Sequence, residues 1–348
     1  MKKQFVLMVA LVVFSVQSFC QQIDMSLIPY RKAAKWGYAS PDGQIVITPR
    51  YDEANWFSEG YAAVKLGKKY GYINKAGNMV IPAKFTVAKS FRKGFMPNPA
   101  KAGGDSVLFA GASLQASGYE ICINTKGARM PKCPAIAESS VPENNVPVKT
   151  VVTVKNYSIP NNNGLFDKIV DDYKISGSDE TYYIAVKDNR YGIFNTKLET
   201  IVPFEYDGMK LVNTKNPYLE VNKAGMYGIL NSMGQVKIAP ENSQVLSVKG
   251  EGDRDYIIIK KDGKTYVKDA DNNFVIAEGY ADIIYDGMGG FIITGDNNMR
   301  GYYFSDKTTV APKYTDIKLV NGTRYLQVKT FSGKLGYISS AGNEYFVE

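Results

Sequence analysis

The chain has 348 residues, 45% of them hydrophobic, and a formal net charge of +8 from 42 basic and 34 acidic side chains. The basic residues are scattered, which argues against a nucleic-acid partner, since such an interface needs clustered positive charge on one face. The sequence contains no histidine. This removes the usual general base at neutral pH and the commonest metal ligand.

The first twenty residues are predicted to be a secretory signal peptide. A basic start precedes an apolar run at 5–14 that is too short to span a bilayer as a helix, and the small residues Ser18 and Cys20 precede the expected cleavage site. The alternative is a lipoprotein signal in which Cys20 carries the lipid. We therefore expect an exported chain in the periplasm, at the cell surface or secreted, with no transmembrane segment after signal removal.

A short pattern then recurs along the chain. It reads KWGYASPDGQIVITPRYD at 35–52, KYGYINKAGNMVIPAKF at 69–85, RYGIFNTKLETIVPFEYD at 190–207 and KLGYISSAGNEYF at 334–346. Apolar residues that close one strand of each copy follow at steps of 34 to 38 residues: Val186, Val221, Ile259, Ile293 and Val328. Aromatic–glycine pairs agree with this period: Trp36–Gly37, Tyr70–Gly71, Tyr191–Gly192 and Tyr227–Gly228, with Gly301 and Gly336 continuing the series.

Each copy is predicted to contain a β-hairpin. Asn or Ser at the first position of the turn and Gly at the fourth are typical of a type I turn followed by a left-handed residue. These turns are Ser40–Gly43, Asn74–Gly77, Asn124–Gly127, Asn231–Gly234 and Ser339–Gly342. A proline is predicted to end the second strand, because it lacks the N–H that the ladder needs: Pro49, Pro82, Pro203, Pro240 and Pro312.

Two further strands complete the copy, as 315–320 and 325–328 illustrate. Four short strands in about 35 residues form an antiparallel β-meander, the size of a propeller blade or of one coil of a β-solenoid. The glycine after the aromatic is expected to leave space for an aromatic of the adjacent copy. We predict an all-β chain of tandem meanders, arranged as a propeller-like ring or an open superhelix. Incomplete copies at 27–34 and 334–348 could pair or serve as caps.

The stretch from 35 to 64, followed by 69–82, resembles the WG-repeat family of bacterial secreted β-repeat proteins. The resemblance is strong over 35–96, fair over 190–240 and 299–342, and weaker elsewhere, with Tyr or Leu replacing the tryptophan after Trp36. It implies an exported repeat scaffold and adds no catalytic, metal or cofactor-binding residue.

The copies divide the chain into four segments. A signal peptide at 1–20 precedes WG-type repeats at 21–104, degenerate repeats at 105–189 and β-repeats at 190–348. The degenerate segment contains guessed copies at 119–127 and 151–160 and a proline-rich insertion at 131–148.

Cys122 and Cys133 flank a predicted hairpin turn. In an export compartment they could form a disulfide across the hairpin. Two reduced thiols packed as small hydrophobes are the alternative, and both interpretations stay open at this point.

Acidic residues follow the aromatic at the end of the hairpin: Asp52, Asp207 and, more loosely, Asp282 and Asp316. A glycosidase needs one pair of carboxylates across a cleft, whereas these acids recur once per copy, so we interpret them as turn caps. Residues 269–274 begin like a calcium loop but lack its glycine and glutamate. They align with the hairpin turn of the other copies, and a turn is predicted there.

The sequence therefore favours a non-enzymatic scaffold that binds an unknown protein or glycan of the cell envelope. A carbohydrate-active enzyme on a propeller-like frame is the alternative. A binding site is expected where the copies differ, with Trp56, Phe91 and Phe95 as ligand-facing aromatics and 97–148 as an irregular segment.

Overall fold

A computed structural model describes residues 23–98, 101–115, 119–136, 164–175, 177–213, 217–251 and 254–347. The predicted signal peptide and the predicted copy at 151–160 lie outside these ranges. Within them the regular elements are β-strands, as the alternating pattern predicts. No helix in the described ranges has the length and apolar character needed to cross a membrane.

The strands are short, and most have two to eight residues. Up to residue 123 they are β1 (Ile23–Asp24), β2 (Ile28–Lys32), β3 (Lys35–Ala39), β4 (Ile45–Tyr51), β5 (Glu53–Ala54), β6 (Phe57–Ser58), β7 (Tyr61–Leu66), β8 (Lys69–Asn74), β9 (Met79–Phe85), β10 (Val87–Ala88), β11 (Arg92–Asn98), β12 (Lys101–Ser113) and β13 (Ile121–Ile123). From residue 168 they are β14 (Lys168–Lys174), β15 (Thr181–Lys187), β16 (Arg190–Asn195), β17 (Thr200–Tyr206), β18 (Gly208–Asn213), β19 (Tyr218–Lys223), β20 (Met226–Asn231), β21 (Val236–Asn242), β22 (Gln244–Glu251), β23 (Arg254–Lys261), β24 (Lys264–Asp269), β25 (Phe274–Tyr280), β26 (Asp282–Tyr285), β27 (Phe291–Thr294), β28 (Arg300–Tyr303), β29 (Thr309–Tyr314), β30 (Asp316–Leu319), β31 (Tyr325–Lys329), β32 (Leu335–Ser339) and β33 (Phe346–Val347).

The strands pair antiparallel, except β2 with β33, and half of the sheets are meanders of four consecutive strands. In chain order they are sheet 1 (β2–β4 with β33), sheet 2 (β1 and β5–β9), sheet 3 (β10–β13), sheet 4 (β14–β17), sheet 5 (β18–β21), sheet 6 (β22–β25), sheet 7 (β26–β29) and sheet 8 (β30–β32). The predicted all-β fold of tandem antiparallel meanders is confirmed. In a regular sheet the aromatic–glycine hairpin supplies the last two strands, so the structural unit begins half a copy before the sequence unit.

The chain divides into two compact units. One comprises Met1–Val146, Gly322–Tyr325 and Asn343–Glu348, and the other comprises Pro147–Asn321 and Leu326–Gly342. Sheets 1–3 belong to the first unit and sheets 4–7 to the second. The segment boundaries expected from the sequence, at 104 and 189, stay predictions.

The hairpin turns form as predicted. The N–H of Gly43 donates to the carbonyl of Ser40 at 2.9 Å, and the N–H of Gly77 donates to that of Asn74 at 2.9 Å. Both glycines have a positive φ, 88° and 80°, which glycine adopts without a steric penalty. The Asn74 side chain accepts the N–H of Asn78 at 3.0 Å and so holds the turn closed.

The glycine after the aromatic has a different role from the predicted one. A Cβ on Gly37 would lie 2.1 Å from the carbonyl oxygen of Ile47 and 2.7 Å from the nitrogen of Pro49. The close neighbour is therefore the backbone of the next strand in the same sheet, and the expected aromatic of an adjacent copy is wrong. Gly71, Gly228 and Gly301 lie equally close to the backbone of the corresponding strand in their own sheets.

This close approach coincides with an irregularity in the strand pairing. Trp36 pairs with Tyr51 and Tyr38 with Ile47, so extra residues of β4 bulge opposite Gly37. Pro49 lies in this bulge, where no ladder hydrogen bond needs its missing N–H. The prediction that the proline ends the strand is wrong, since β4 continues to Tyr51.

Consecutive sheets share their hydrophobic cores. In the first unit, Tyr38 and Ile47 of sheet 1 pack in one cluster with Phe57 and Val64 of sheet 2. Tyr72, Ile81 and Phe85 of sheet 2 form the next cluster with Phe91, Ala110 and Ile123 of the segment that builds sheet 3. Each of these sheets thus supplies part of its neighbour's core.

The second unit repeats this arrangement. Ile193 and Val202 of sheet 4 pack with Leu219 and Leu230 of sheet 5. Sheets 5 and 6 share a cluster around Ile238 and Ile257, and sheets 6 and 7 share one around Ile276 and Ile293. Burying these side chains between two sheets stabilises both, by roughly 1.5–3 kcal/mol for each large aliphatic or aromatic residue.

Polar contacts reinforce the contact between consecutive sheets. The hydroxyl of Tyr38 donates to the carbonyl of Asn55 at 2.8 Å, and the hydroxyl of Tyr72 donates to the carbonyl of Lys89 at 2.8 Å. Each tyrosine reaches a carbonyl seventeen residues further along the chain. Arg50 donates to the carbonyl of Gly77 in the following turn at 2.8 Å.

Cys122 and Cys133 form a disulfide, with their Cα atoms 5.3 Å apart. Of the two alternatives that the sequence left open, the bonded form is the one present. The bond ties β13 to the segment after the Asn124–Gly127 turn. At the other end of the unit, Phe346 and Val347 pair in parallel with Arg31 and Lys32, so the C-terminal strand joins sheet 1.

Candidate functional site

The aromatics expected to face a ligand are largely occupied by packing. Phe91 is fully buried and contacts Tyr72 at 4.9 Å between ring centroids. It belongs to the core between sheets 2 and 3, so its assignment to a ligand face is corrected. Trp56 is 9% exposed and packs against Tyr325 at 5.3 Å between centroids. Phe95 is half-buried, and its backbone pairs with Ala135.

The recurring acids cap backbone groups. Asp52 accepts the N–H of Gly67 at 2.7 Å and pairs with Lys35 at 2.6 Å. The hydrogen bond from Lys35 is the largest of the effects that lower the pKa of Asp52. Asp207 accepts the N–H of Ala224 at 2.6 Å in the same manner. These contacts agree with the turn-cap interpretation, since both carboxylates accept hydrogen bonds from the backbone.

A cleft of 380 Å³ opens between sheets 6 and 7 in the second unit. Residues of the 269–274 turn form one side, and Ser305 and Lys307 from the turn between β28 and β29 form the other. Asp255 and Tyr256, at the start of β23, complete the lining. Its volume lies in the range of pockets that take small molecules. We call it the 6/7 cleft.

The acidic groups of the 6/7 cleft are held by neighbouring donors. Tyr218 hydrogen-bonds to Asp255, and burial, followed by this bond, raises the pKa of Tyr218 to about 12. Asp269 accepts the N–H groups of Asp271 at 2.9 Å and of Asn273 at 2.8 Å. The prediction of a turn at 269–274 is therefore confirmed. Asp271 is exposed and lies 3.9 Å from Lys237.

An aromatic ring lies at the mouth of the cleft. Phe274 is 53% exposed, with the Lys268 ammonium 4.6 Å from its ring centroid. Tyr256, which also lines the cleft, is 7% exposed and packs edge-on against Phe291 at 5.2 Å between centroids. The hydroxyl of Tyr303 donates to the carbonyl of Val275 at 2.9 Å. This bond ties sheet 7 to the strand that carries Phe274.

The position of Phe274 has no aromatic residue in the other regular sheets. Its register partner is Lys268, and the residues in the same register position elsewhere are Ile45, Met79, Thr200, Val236 and Thr309. The difference is visible in the sequence once the copies are aligned. Sequence reasoning missed it because 269–274 was considered only as a turn or a calcium loop.

A lysine occupies the turn beside the open space. In sheets 3 and 5 the fourth turn residue is glycine, and it packs on the preceding sheet: a Cβ on Gly127 would lie 2.6 Å from the Ile81 side chain, and one on Gly234 would lie 2.3 Å from Val202. Sheets 4 and 6 have Leu198 and Asn272 at this position. Lys307 occupies this turn position in sheet 7, with a φ of 70°. The lysine side chain is too large for the close contact that Gly127 and Gly234 make, and the turn that carries it lines the cleft.

The sequence model of the WG containing repeat matches residues 36–70 and 70–97. Residues 36–97 contain two WG repeats. These two adjacent matches lie within the region where the resemblance is strongest in sequence. The first WG repeat begins at Trp36, next to the glycine that lies against the bulge of β4.

Comparison of the chain with curated proteins finds no match. Among solved structures it is similar to a eukaryotic initiation factor, with 10% identity, 92% of this chain and 83% of that chain covered, and a TM-score of 0.30. It is also similar to the Dos1 propeller, with 11% identity, 84% and 79% covered, and a TM-score of 0.26. Hsv2p of Kluyveromyces lactis matches with 11% identity, 81% and 89% covered, and a TM-score of 0.24.

Proposed function

We propose that the protein is an exported, non-enzymatic repeat scaffold that binds a glycan or a protein of the cell envelope. The observation that carries the proposal is the 6/7 cleft, an open and mixed polar–aromatic site on a frame whose other aromatics are mostly packed. Ligand sites commonly combine an apolar surface with a few convergent polar groups.

Export is supported by the signal-peptide pattern and by the Cys122–Cys133 disulfide. Disulfides persist in oxidising compartments and are rare in the cytosol. The mature protein then meets envelope polymers, which are the partners that a scaffold of repeated sheets would engage. Lipid attachment through Cys20 remains the alternative form of the same exported protein.

A binding role is preferred over a carbohydrate-active enzyme for a chemical reason. The recurring carboxylates Asp52 and Asp207 accept backbone N–H groups, as residues with a structural role do. The chain also has no histidine to serve as a base.

The test is a binding and turnover assay with the full chain. The protein is incubated with purified envelope polysaccharides and envelope proteins, retention is measured on immobilised ligand, and the soluble phase is analysed for released products. We expect retention on at least one class of ligand without new products. Release of oligosaccharides would support the enzyme alternative, and a lack of retention on every ligand would contradict the binding role.

A further inference from the structure

We propose that the 6/7 cleft binds one sugar ring of a neutral oligosaccharide, with Phe274 stacking against the ring and the surrounding polar side chains bonding its hydroxyls. This inference deepens the proposed function and rests on it. It names the site and the chemical class of ligand.

The charges of the cleft favour a neutral ligand. Three carboxylates, those of Asp255, Asp269 and Asp271, line it together with the Lys307 ammonium. Two further ammonium groups lie at its edge, Lys237 beside Asp271 and Lys268 over Phe274. These three acidic and three basic groups offset one another, so together they favour no ligand of a single charge sign.

The polar groups match a polyhydroxylated ligand. Ionised carboxylates only accept hydrogen bonds, an ammonium only donates them, and an amide does both. The lining offers all three kinds, with Asp271, Lys307 and Asn273 exposed on two sides of the cleft. A sugar ring carries hydroxyls that donate and accept around its edge, so it can engage both sides at once.

The aromatic ring supplies the apolar contact. A sugar ring has a face of C–H groups, and the face of an aromatic ring is electronegative, so the two attract. Phe274 is 53% exposed, and contact with a ligand would bury surface that water now covers. Its position is occupied by an aromatic residue in this sheet and by aliphatic residues or threonine in the other regular sheets, which places the feature at the site where the copies differ.

The site is held rigid on both sides. Tyr256 packs between sheets 6 and 7 beneath the cleft, and the Tyr303–Val275 hydrogen bond joins the two sheets beside it. Asp269 is fixed by the N–H groups that it accepts. A preformed site loses little conformational entropy on binding.

The test measures binding of cellobiose, maltose and N,N′-diacetylchitobiose to the full chain by saturation-transfer NMR and titration calorimetry. We expect one of them to bind, and Phe274→Ala to weaken it at least tenfold, while Phe274→Tyr preserves it. Phe331→Ala is the matched control, because Phe331 is 86% exposed and lies outside the cleft lining. It should bind as the unchanged protein does.

A second variant tests the geometry of the cleft. Lys307→Gly introduces the residue that packs closely on the preceding sheet in sheets 3 and 5, and glycine suits the φ of 70° at this turn position. We expect it to abolish saccharide binding without lowering the melting temperature. Unchanged affinity in Lys307→Gly would contradict the role of the open turn.

Other outcomes distinguish failure of the proposed saccharide site from failure of the proposed scaffold function. Saccharide binding that Phe274→Ala leaves unchanged, or preferential binding of a uronic-acid disaccharide, would overturn this assignment. If none of the saccharides binds but the chain is retained on an envelope protein, the assignment fails and the scaffold function stands. Failure to bind any envelope ligand would remove both.

Discussion

Gly37 and Gly43 of the first copy are required for different physical reasons. Gly43 lies in a turn with a φ of 88°, and a Cβ there would have no neighbour within 4 Å. Gly37 lies in a strand, and a Cβ there would lie 2.1 Å from a backbone oxygen. The turn position requires a left-handed backbone conformation, and the strand position leaves no space for a Cβ atom.

The two kinds of glycine predict different costs of substitution. Gly43→Ala should lower the free energy of unfolding by about 1–2 kcal/mol, the cost of a left-handed backbone for an L-residue. Gly37→Ala should lower it by about 3 kcal/mol or more, because the strand opposite it must shift. Urea denaturation of both variants measures the difference. Equal losses would contradict the bulge packing of Gly37.

The turn residues were predictable because they depend on local geometry. The Asn or Ser at the first position and the Gly at the fourth form a hydrogen-bonded turn whatever surrounds them, as Asn74 and Gly77 illustrate. The bulge opposite Gly37 was not predictable in the same way. It is a property of two paired strands, and a proline looks the same in sequence whether a strand ends there or continues past it.

At the level of elements, the disulfide closes a small structural unit. Cys122 is 5% exposed in β13, a strand of three residues, and Cys133 follows it by eleven residues. A strand this short has few ladder hydrogen bonds, so a covalent link restricts the unfolded chain where local pairing is weak.

Removal of the disulfide should therefore destabilise the first unit. The double variant Cys122→Ala and Cys133→Ser is expected to lower the free energy of unfolding by about 2–4 kcal/mol, the usual range for such a bond. Thermal denaturation with and without reductant measures it. Reductant should lower the melting temperature of the unchanged protein and leave that of the double variant as it is. If reductant does not lower the melting temperature of the unchanged protein, the structural role of the bond is contradicted.

Strands and hairpins followed from the alternation of apolar residues, but their grouping into sheets did not. The sequence copy begins with the aromatic–glycine hairpin, whereas a regular sheet such as sheet 5 begins with Gly208–Asn213 and ends with Val236–Asn242. A periodic sequence fixes the length of the repeat and leaves its starting point open. The 6/7 cleft was missed for a related reason, since it depends on Lys307 of one sheet and Phe274 of another.

At the level of the whole molecule, stability depends on contacts between consecutive sheets. Three core clusters in the described ranges, those that contain Ile47, Ile81 and Val202, each draw residues from two sheets. Repeat proteins of this kind gain stability from nearest-neighbour interfaces, because a single repeat buries too little apolar surface to fold alone.

Amide hydrogen exchange on the variant Ile81→Ala tests this dependence most directly. Ile81 is fully buried between sheets 2 and 3, and its truncation should cost about 2–5 kcal/mol, while the exposed neighbour Val80→Ala serves as the control. We predict that Ile81→Ala lowers the protection of amides in both Lys69–Asn74 of sheet 2 and Lys101–Ser113 of sheet 3, and that Val80→Ala lowers neither. Loss of protection confined to sheet 2 would contradict the account.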